Sequence, residues 1–206
     1  MKILIALILF SLVAPNSCKN SDAEDELQMN HSMPIENELM ESMNKTTTIM
    51  NNTTMNGDFD FDFANLMIMH HQMANDMSRI EIEKGSDETI KKMANGIIVA
   101  QEIEIRQMQQ FLQNYKIPVP NNQISNSYKI AAEMKSMIDN MSKIKMFENM
   151  DEDYVAMMIP HHQSAVSMAK QQLNFGKQDV LLELSKNIIE DQSFEIEEFK
   201  NWQSKN

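Results

Sequence analysis

Two pairs of adjacent histidines, His70-His71 and His161-His162, are the residues of this sequence best suited to bind a ligand. A neutral imidazole is a common ligand of copper, zinc, iron and nickel. Each pair has a methionine three residues before its first histidine and another seven residues after it. These methionines are Met67, Met77, Met158 and Met168. Because a thioether is a soft ligand that prefers Cu(I) to zinc, iron or magnesium, the pattern predicts a metal site that binds copper.

The methionines have a second interpretation. Methionine is a flexible filler of protein cores, and we expect most of the 21 methionines in the chain to serve that purpose. The spacing around the histidines is what distinguishes Met67, Met77, Met158 and Met168 from the others.

Each histidine pair is followed by a glutamine and a glutamate three residues apart, a spacing that puts both side chains on one face of a helix. They are Gln101 and Glu104, and Gln192 and Glu195. A buried charge needs a partner, so two interpretations remain open. Either a His–Glu hydrogen bond only holds the helices in register, or the glutamate is a metal ligand or orients the imidazole. Four histidines in two matched pairs favour the metal site.

An internal repeat places these residues in the same register twice. When the chain is shifted by 91 residues, segment 62–113 aligns with 153–204 without a gap, and Gly85 meets Gly176. Glycine is typical of the position just after a helix, so each copy is predicted to be a helical hairpin. Two such hairpins predict an all-α fold, a four-helix bundle with approximate twofold symmetry.

Helical periodicity runs through region 58–206, which we predict to be one domain. The chain has only 4 glycines and 5 prolines, which argues against a turn-rich β fold. A helix at 124–147 connects the two hairpins and is expected to pack along their outside. The predicted helices lie near 60–84, 87–115, 124–147, 152–175 and 178–204.

The beginning of the chain has the pattern of an export signal. Lys2 precedes an apolar run over 3–13 that is too short to span a bilayer. The single cysteine, Cys18, follows a small residue, as at a lipoprotein cleavage site. We predict a signal peptide over 1–17, lipidation of Cys18, and a location at the periplasmic or outer face of a membrane in the bacterial envelope. The alternative is an ordinary secreted protein that is cleaved nearby.

Residues 18–57 are predicted to be a methionine-rich flexible tether, because the segment is polar and lacks aromatic residues. Its Met29, His31 and Met33 are expected to capture metal weakly.

The charge of the chain limits its partners. The formal net charge is −12, so the protein would repel phosphate backbones and anionic lipid headgroups and attract cations. We therefore expect metal ions as partners, no nucleic acid, and membrane attachment only through a lipid anchor. The sequence leaves the oligomeric state open.

The segments MIMHHQMANDM (67–77) and MIPHHQSAVSM (158–168), each followed by Q-x-x-E-I, resemble the domain of unknown function 305 family. The resemblance covers roughly 60–204, and Met69 stands where the pattern often has proline. It implies an exported bacterial protein with a ferritin-like helical bundle and, for some members, periplasmic copper binding through His and Met. No enzymatic activity is implied for the family as a class.

Together these features predict an exported copper buffer or carrier in metal tolerance. One alternative is a ferritin-like di-metal oxidoreductase that uses iron. Such sites use Glu-x-x-His pairs, whereas the third residue before His70 is Met67 and before His161 is Met158. The other alternative is an interaction module that binds no metal and whose His–Glu pairs are structural.

Overall fold

The computed structural model describes residues 35–117, 124–147 and 149–206, and all regular secondary structure in these parts is α-helix. The all-α class predicted from the sequence is confirmed. None of the helices in these parts is long and apolar enough to cross a membrane. The helices are α1 (Ile35–Asn51), α2 (Phe59–Lys84), α3 (Glu88–Asn114), α4 (Ile124–Met141), α5 (Met150–Phe175) and α6 (Asp179–Gln203).

The predicted signal peptide, Cys18, Met29, His31 and Met33 lie outside the described residues.

Two hairpins, α2–α3 and α5–α6, form the centre of the fold, and α2 packs against α5. Their first helices begin at equivalent positions of the repeat, Phe59 and Met150. The residue before each is a side-chain cap: Asp58 accepts from Phe61 N–H, and Asn149 accepts from Glu152 N–H. The repeat therefore sets where the helices begin as well as which residues they bury.

The first helix, α1, corrects one of our predictions. The flexible tether predicted over 18–57 is wrong for residues 35–51, which form α1 and pack against α2. Leu39 and Met43 are 0 % and 2 % exposed. Only a narrow stripe at a spacing of three to four residues is buried, and it includes the polar Ser42 and Thr46. The overall polarity of the segment conceals that stripe.

Helix α4 connects the two hairpins, as predicted, and α1 is its counterpart in the first copy. Leu39 and Met43 of α1 lie 91 residues before Ile130 and Met134 of α4, and all four side chains are buried. α1 packs mainly against α2, and α4 packs mainly against α5. The repeating unit is therefore three helices, one more than the sequence alignment predicted.

Buried carboxylates join the two repeats reciprocally. Asp60 of α2 accepts from the backbone N–H groups of Lys177 and the following residue, at 3.0 and 3.3 Å. Asp151 of α5 accepts from Ser86 and the following residue, at 3.0 and 2.9 Å. Each carboxylate therefore binds the N–H groups that precede the second helix of the other hairpin. This is the end of a helix where negative charge is favourable.

The glycines that end α2 and α5 confirm the predicted helix ends. Both have extended backbone, and their N–H groups bond the carbonyl oxygens of Glu81 and Gln172 at 2.7 and 2.8 Å. The side chains of Glu81 and Gln172 lie so close to Gly85 and Gly176 that a Cβ at either glycine would collide with them. Close approach, not a left-handed backbone, therefore requires glycine here.

Glu81 and Gln172 occupy the same position in the two repeats but differ in charge. Gln172 Nε2 donates to Asp60 Oδ1 at 2.6 Å. Glu81 is fully buried beside Asp151, and burial together with this carboxylate raises the pKa of Glu81 to about 8. Because an ionised carboxylate can only accept, Glu81 can replace the amide donor only as the protonated acid.

Candidate metal centre

His70 and His161 stack on each other where α2 meets α5. Their ring centroids are 3.8 Å apart and the rings are inclined by 44°. His161 Nε2 donates to the carbonyl oxygen of His70 at 3.1 Å. Because the two residues are equivalent in the repeat, the stack joins the same position of both copies, and His71 and His162 flank it. All four histidines are fully buried.

The outer histidines each contact the glutamate predicted from the sequence. His71 Nε2 lies 2.8 Å from Glu104 Oε2, and His162 Nε2 lies 2.8 Å from Glu195 Oε2. Only the His162–Glu195 contact also has the alignment of a hydrogen bond. A proton held on Nε2 by the carboxylate leaves Nδ1 with its lone pair.

Several imidazole nitrogens in this quartet have no hydrogen-bond partner among the described residues. They are both ring nitrogens of His70, both of His71, and the Nδ1 atoms of His161 and His162. His71 Nε2 still has its ion-pair contact with Glu104. A buried polar atom left unpaired costs about 1–3 kcal/mol, so this concentration of unpaired nitrogens calls for a bound species. The unprotonated nitrogen of a neutral imidazole is a donor atom that a transition metal can bind.

Electrostatics keep the stacked rings neutral. Burial holds the pKa of His70 and of His161 well below the usual value, and the neighbouring imidazoles lower both further. Repulsion among imidazolium groups makes protonation of one ring disfavour protonation of the next. The stacked pair is therefore in the form that can bind a metal near neutral pH.

The predicted glutamines lie one turn before the glutamates on α3 and α6. Gln101 and Gln192 are each 2 % exposed, and both polar atoms of each side chain lack a partner within the described parts of the chain. The side-chain amides of Gln101 and Gln192 thus lack hydrogen-bond partners in the described parts, as the histidine ring nitrogens do.

The predicted methionines Met67, Met77, Met158 and Met168 are fully buried on α2 and α5, the helices that carry the histidines. Met168 Sδ accepts a hydrogen bond from Ser164 Oγ at 3.9 Å. The same burial also packs the core between α2 and α5.

Within the described ranges, no group of three or more His, Cys, Asp or Glu side chains is arranged to hold a metal ion. This finding includes the four histidines, whose unpaired donors are imidazole nitrogens, with thioethers on the same helices. This donor set suits a soft ion of low coordination number better than zinc or a carboxylate-bridged metal pair.

A third carboxylate, Asp191, lies near both glutamates and was missed in the sequence. Its side chain is exposed, and partial desolvation together with the negative charges of Glu104, Glu195 and Glu190 raises its pKa. The repeat comparison concealed it, because the equivalent residue of the first copy is Ala100.

A family model described as Domain of unknown function (DUF305) matches residues 14–112 and again residues 113–203. The chain belongs to the DUF305 family. The two matches assign α1–α3 to one DUF305 copy and α4–α6 to the other, in agreement with the three-helix repeat. The resemblance predicted from the histidine motifs is confirmed.

Solved structures similar to this DUF305 chain include metal-bound proteins. The Cu(I)-bound form of CopM is 31 % identical, with 71 % of this chain and 96 % of CopM covered and a TM-score of 0.54. An Ag-bound form of CopM is 30 % identical, with the same coverage and TM-score. A Streptomyces coelicolor DUF305 protein described as secreted shares the fold at 24 % identity, with 72 % and 94 % covered and a TM-score of 0.58. No curated protein matches the chain.

Proposed function

We propose that this protein is an exported copper-binding protein that buffers or carries Cu(I) in the bacterial envelope. The observation that carries the proposal is the buried quartet of His70, His71, His161 and His162, with its unpaired ring nitrogens. A purely structural His–Glu pair accounts for one nitrogen of each outer ring. Such a pair does not account for the stacking of His70 on His161.

In this proposal the four histidines supply the nitrogen ligands. Glu104 and Glu195 hold the Nε2 atoms of the outer rings, which directs the Nδ1 lone pairs to the metal. Gln101 and Gln192 surround the site with neutral amides that can turn either a donor or an acceptor toward it.

Copper is the metal that the donor set favours. Imidazole nitrogen with thioether sulfur from Met67, Met77, Met158 and Met168 suits Cu(I), and no thiolate is expected once Cys18 is lipidated. CopM, which is 30–31 % identical in two of its metal-bound forms, has solved structures with Cu(I), Cu(II) and Ag bound. The same set disfavours a ferritin-like di-iron site, which uses several carboxylates as ligands.

The proposal includes export and anchoring. The chain would lose residues 1–17, become lipidated at Cys18, and remain at a membrane face of the envelope, where Met29, His31 and Met33 add weak metal capture. Replacing Cys18 with Ser should release the protein from the membrane fraction. A Cys18→Ser protein that stays in that fraction would remove the anchor from the proposal.

Competition titration with a Cu(I) chelator tests the function. Replacing the four histidines together with Ala should abolish tight binding, whereas replacing Met29, His31 and Met33 with Ala should leave it intact. Circular dichroism checks that both variants stay helical. If only the second variant loses binding, the copper chemistry lies before α1 and the His–Glu pairs are structural.

Metal analysis of protein purified without an affinity tag separates the alternatives. Copper supports the proposal. Two irons per chain would favour the di-metal oxidoreductase, and protein that neither contains nor binds metal would favour the interaction module.

A further inference from the structure

The two hairpins differ one turn beyond the glutamates that contact the outer histidines. Met108 of α3 is the counterpart of Phe199 of α6, and both side chains are fully buried. Residues four positions apart lie on the same face of a helix, so each of these side chains is on the face that carries Glu104 or Glu195. The first copy therefore has a thioether where the second copy has an aromatic ring.

The neighbours of Phe199 show where this position lies in the bundle. The centroid of its ring is 5.9 Å from that of His162 and 5.9 Å from that of Tyr154. The two hairpins have the same register at this level, because His71 Nε2 and His162 Nε2 each lie 2.8 Å from the equivalent glutamate. The repeat thus places Met108 beside His71.

The outer histidine at the methionine end has fewer hydrogen bonds than its counterpart. His162 Nε2 donates to Glu195 at 2.8 Å, whereas neither ring nitrogen of His71 has a hydrogen-bond partner in the described parts of the chain. His71 Nε2 has an ion-pair contact with Glu104, whose side chain is 11 % exposed, against 21 % for Glu195. The less hydrated end of the quartet therefore has the larger number of unpaired imidazole nitrogens.

We propose that Met108 is a thioether ligand of the Cu(I) ion held by the histidine quartet, so that the ion lies at the His71 end. This inference rests on the proposed function and makes the metal site asymmetric. A thioether is a soft ligand that selects Cu(I), and the low exposure of this end limits the access of water to the metal. At the other end the ring of Phe199 has no sulfur to offer.

The alternative role of Met108 is core packing. The counterpart of Tyr154 is Phe63, which is fully buried, and methionine packs favourably against aromatic rings. Packing depends on the volume of the side chain, whereas ligation depends on its sulfur. Met108→Leu separates the two roles, because leucine nearly preserves the volume and removes the thioether.

Competition titration of the full chain with a Cu(I) chelator tests the ligand. Met108→Leu should lower the Cu(I) affinity at least about tenfold, since even residues that only support metal ligands change affinity by about 10–100-fold. Met134→Leu is the matched control, because Met134 is fully buried on α4, a helix without any proposed ligand, and it should keep the wild-type affinity. X-ray absorption at the copper edge should show one sulfur ligand fewer in Met108→Leu than in the wild type.

An exchange of the two side chains tests the position of the ion. Met108→Phe combined with Phe199→Met moves the thioether to the His162 end. His71→Ala should weaken Cu(I) binding more than His162→Ala in the wild-type background, and less in the exchanged background. Equal losses from the two alanine substitutions in the wild-type background would overturn the asymmetry.

Three further results would overturn the ligand. They are wild-type affinity in Met108→Leu, an equal loss of affinity in Met134→Leu, and an unchanged number of sulfur ligands at the copper. Wild-type affinity in Met108→Leu with loss of binding in the four-histidine variant would refute Met108 alone. A wild-type protein that binds no Cu(I) would refute the proposed function and this ligand together.

Discussion

Gln172 and Asp60 form a buried hydrogen bond of 2.6 Å between the two repeats, and the equivalent pair in the other repeat consists of two acids, Glu81 and Asp151. One contact has an amide where the other has a second carboxyl group, so the Glu81–Asp151 contact depends on pH. Burial and Asp151 are the main causes of the raised pKa of Glu81, which is about 8. Lys91 partly opposes the increase, and Asp87 adds to it.

We predict that stability falls as the pH rises from about 4.5 toward 8. In that window the folded protein keeps the Glu81 proton and the unfolded chain has lost it, so unfolding releases a proton. The contribution is complete below the unfolded pKa and is lost as the pH passes the folded pKa. Urea unfolding at pH 6 and pH 9 measures it.

Glu81→Gln should raise the unfolding free energy at pH 9 by roughly 1–3 kcal/mol and flatten the pH dependence, because Gln can donate to Asp151 as Gln172 donates to Asp60. The reciprocal Gln172→Glu should introduce a second pH-dependent contact. An unchanged slope in Glu81→Gln would show that another group titrates.

The carboxylates that join the repeats should be among the most important polar residues for stability. Asp60→Ala leaves two backbone N–H groups and the Gln172 amide without an acceptor, and should cost about 2–4 kcal/mol of unfolding free energy. Asp76→Ala is the control, since Asp76 makes only surface ion pairs, and should change stability by less than about 1 kcal/mol. Equal effects of the two substitutions would contradict the role of Asp60.

Two glycines should respond to alanine with opposite sign. Gly85→Ala introduces a Cβ that collides with the side chain and carbonyl of Glu81, and should destabilise the fold. Gly96 lies within α3 with open space around it, so Gly96→Ala should stabilise the protein by about 0.5–1 kcal/mol. Thermal unfolding of the two variants checks both signs, and stabilisation by Gly85→Ala would refute the close approach.

The contribution of α1 can be tested with one side chain. Leu39→Ala should cost about 2–4 kcal/mol if α1 packs on the core as described. Ile49→Ala, at a position 45 % exposed on the same helix, should cost much less. Denaturant unfolding distinguishes this from a flexible segment, in which neither substitution would matter.

The sequence predicted the hairpins because their periodicity, caps and histidine motifs occur twice in one register. It did not predict α1, whose single buried stripe includes Ser42 and Thr46 among its apolar residues. Comparison of the repeats also concealed Asp191, since symmetry draws attention to what both copies share. The stacking of His70 on His161 depends on how α2 crosses α5, which no local pattern encodes.

The most direct measurement is anomalous diffraction at the copper edge from crystals of the Cu(I)-loaded protein. The account predicts a copper peak beside the stacked His70–His161 pair, within bonding distance of imidazole nitrogen from both repeats. A peak only near Met29, His31 and Met33, or a histidine quartet that stays free of copper at saturation, would contradict it.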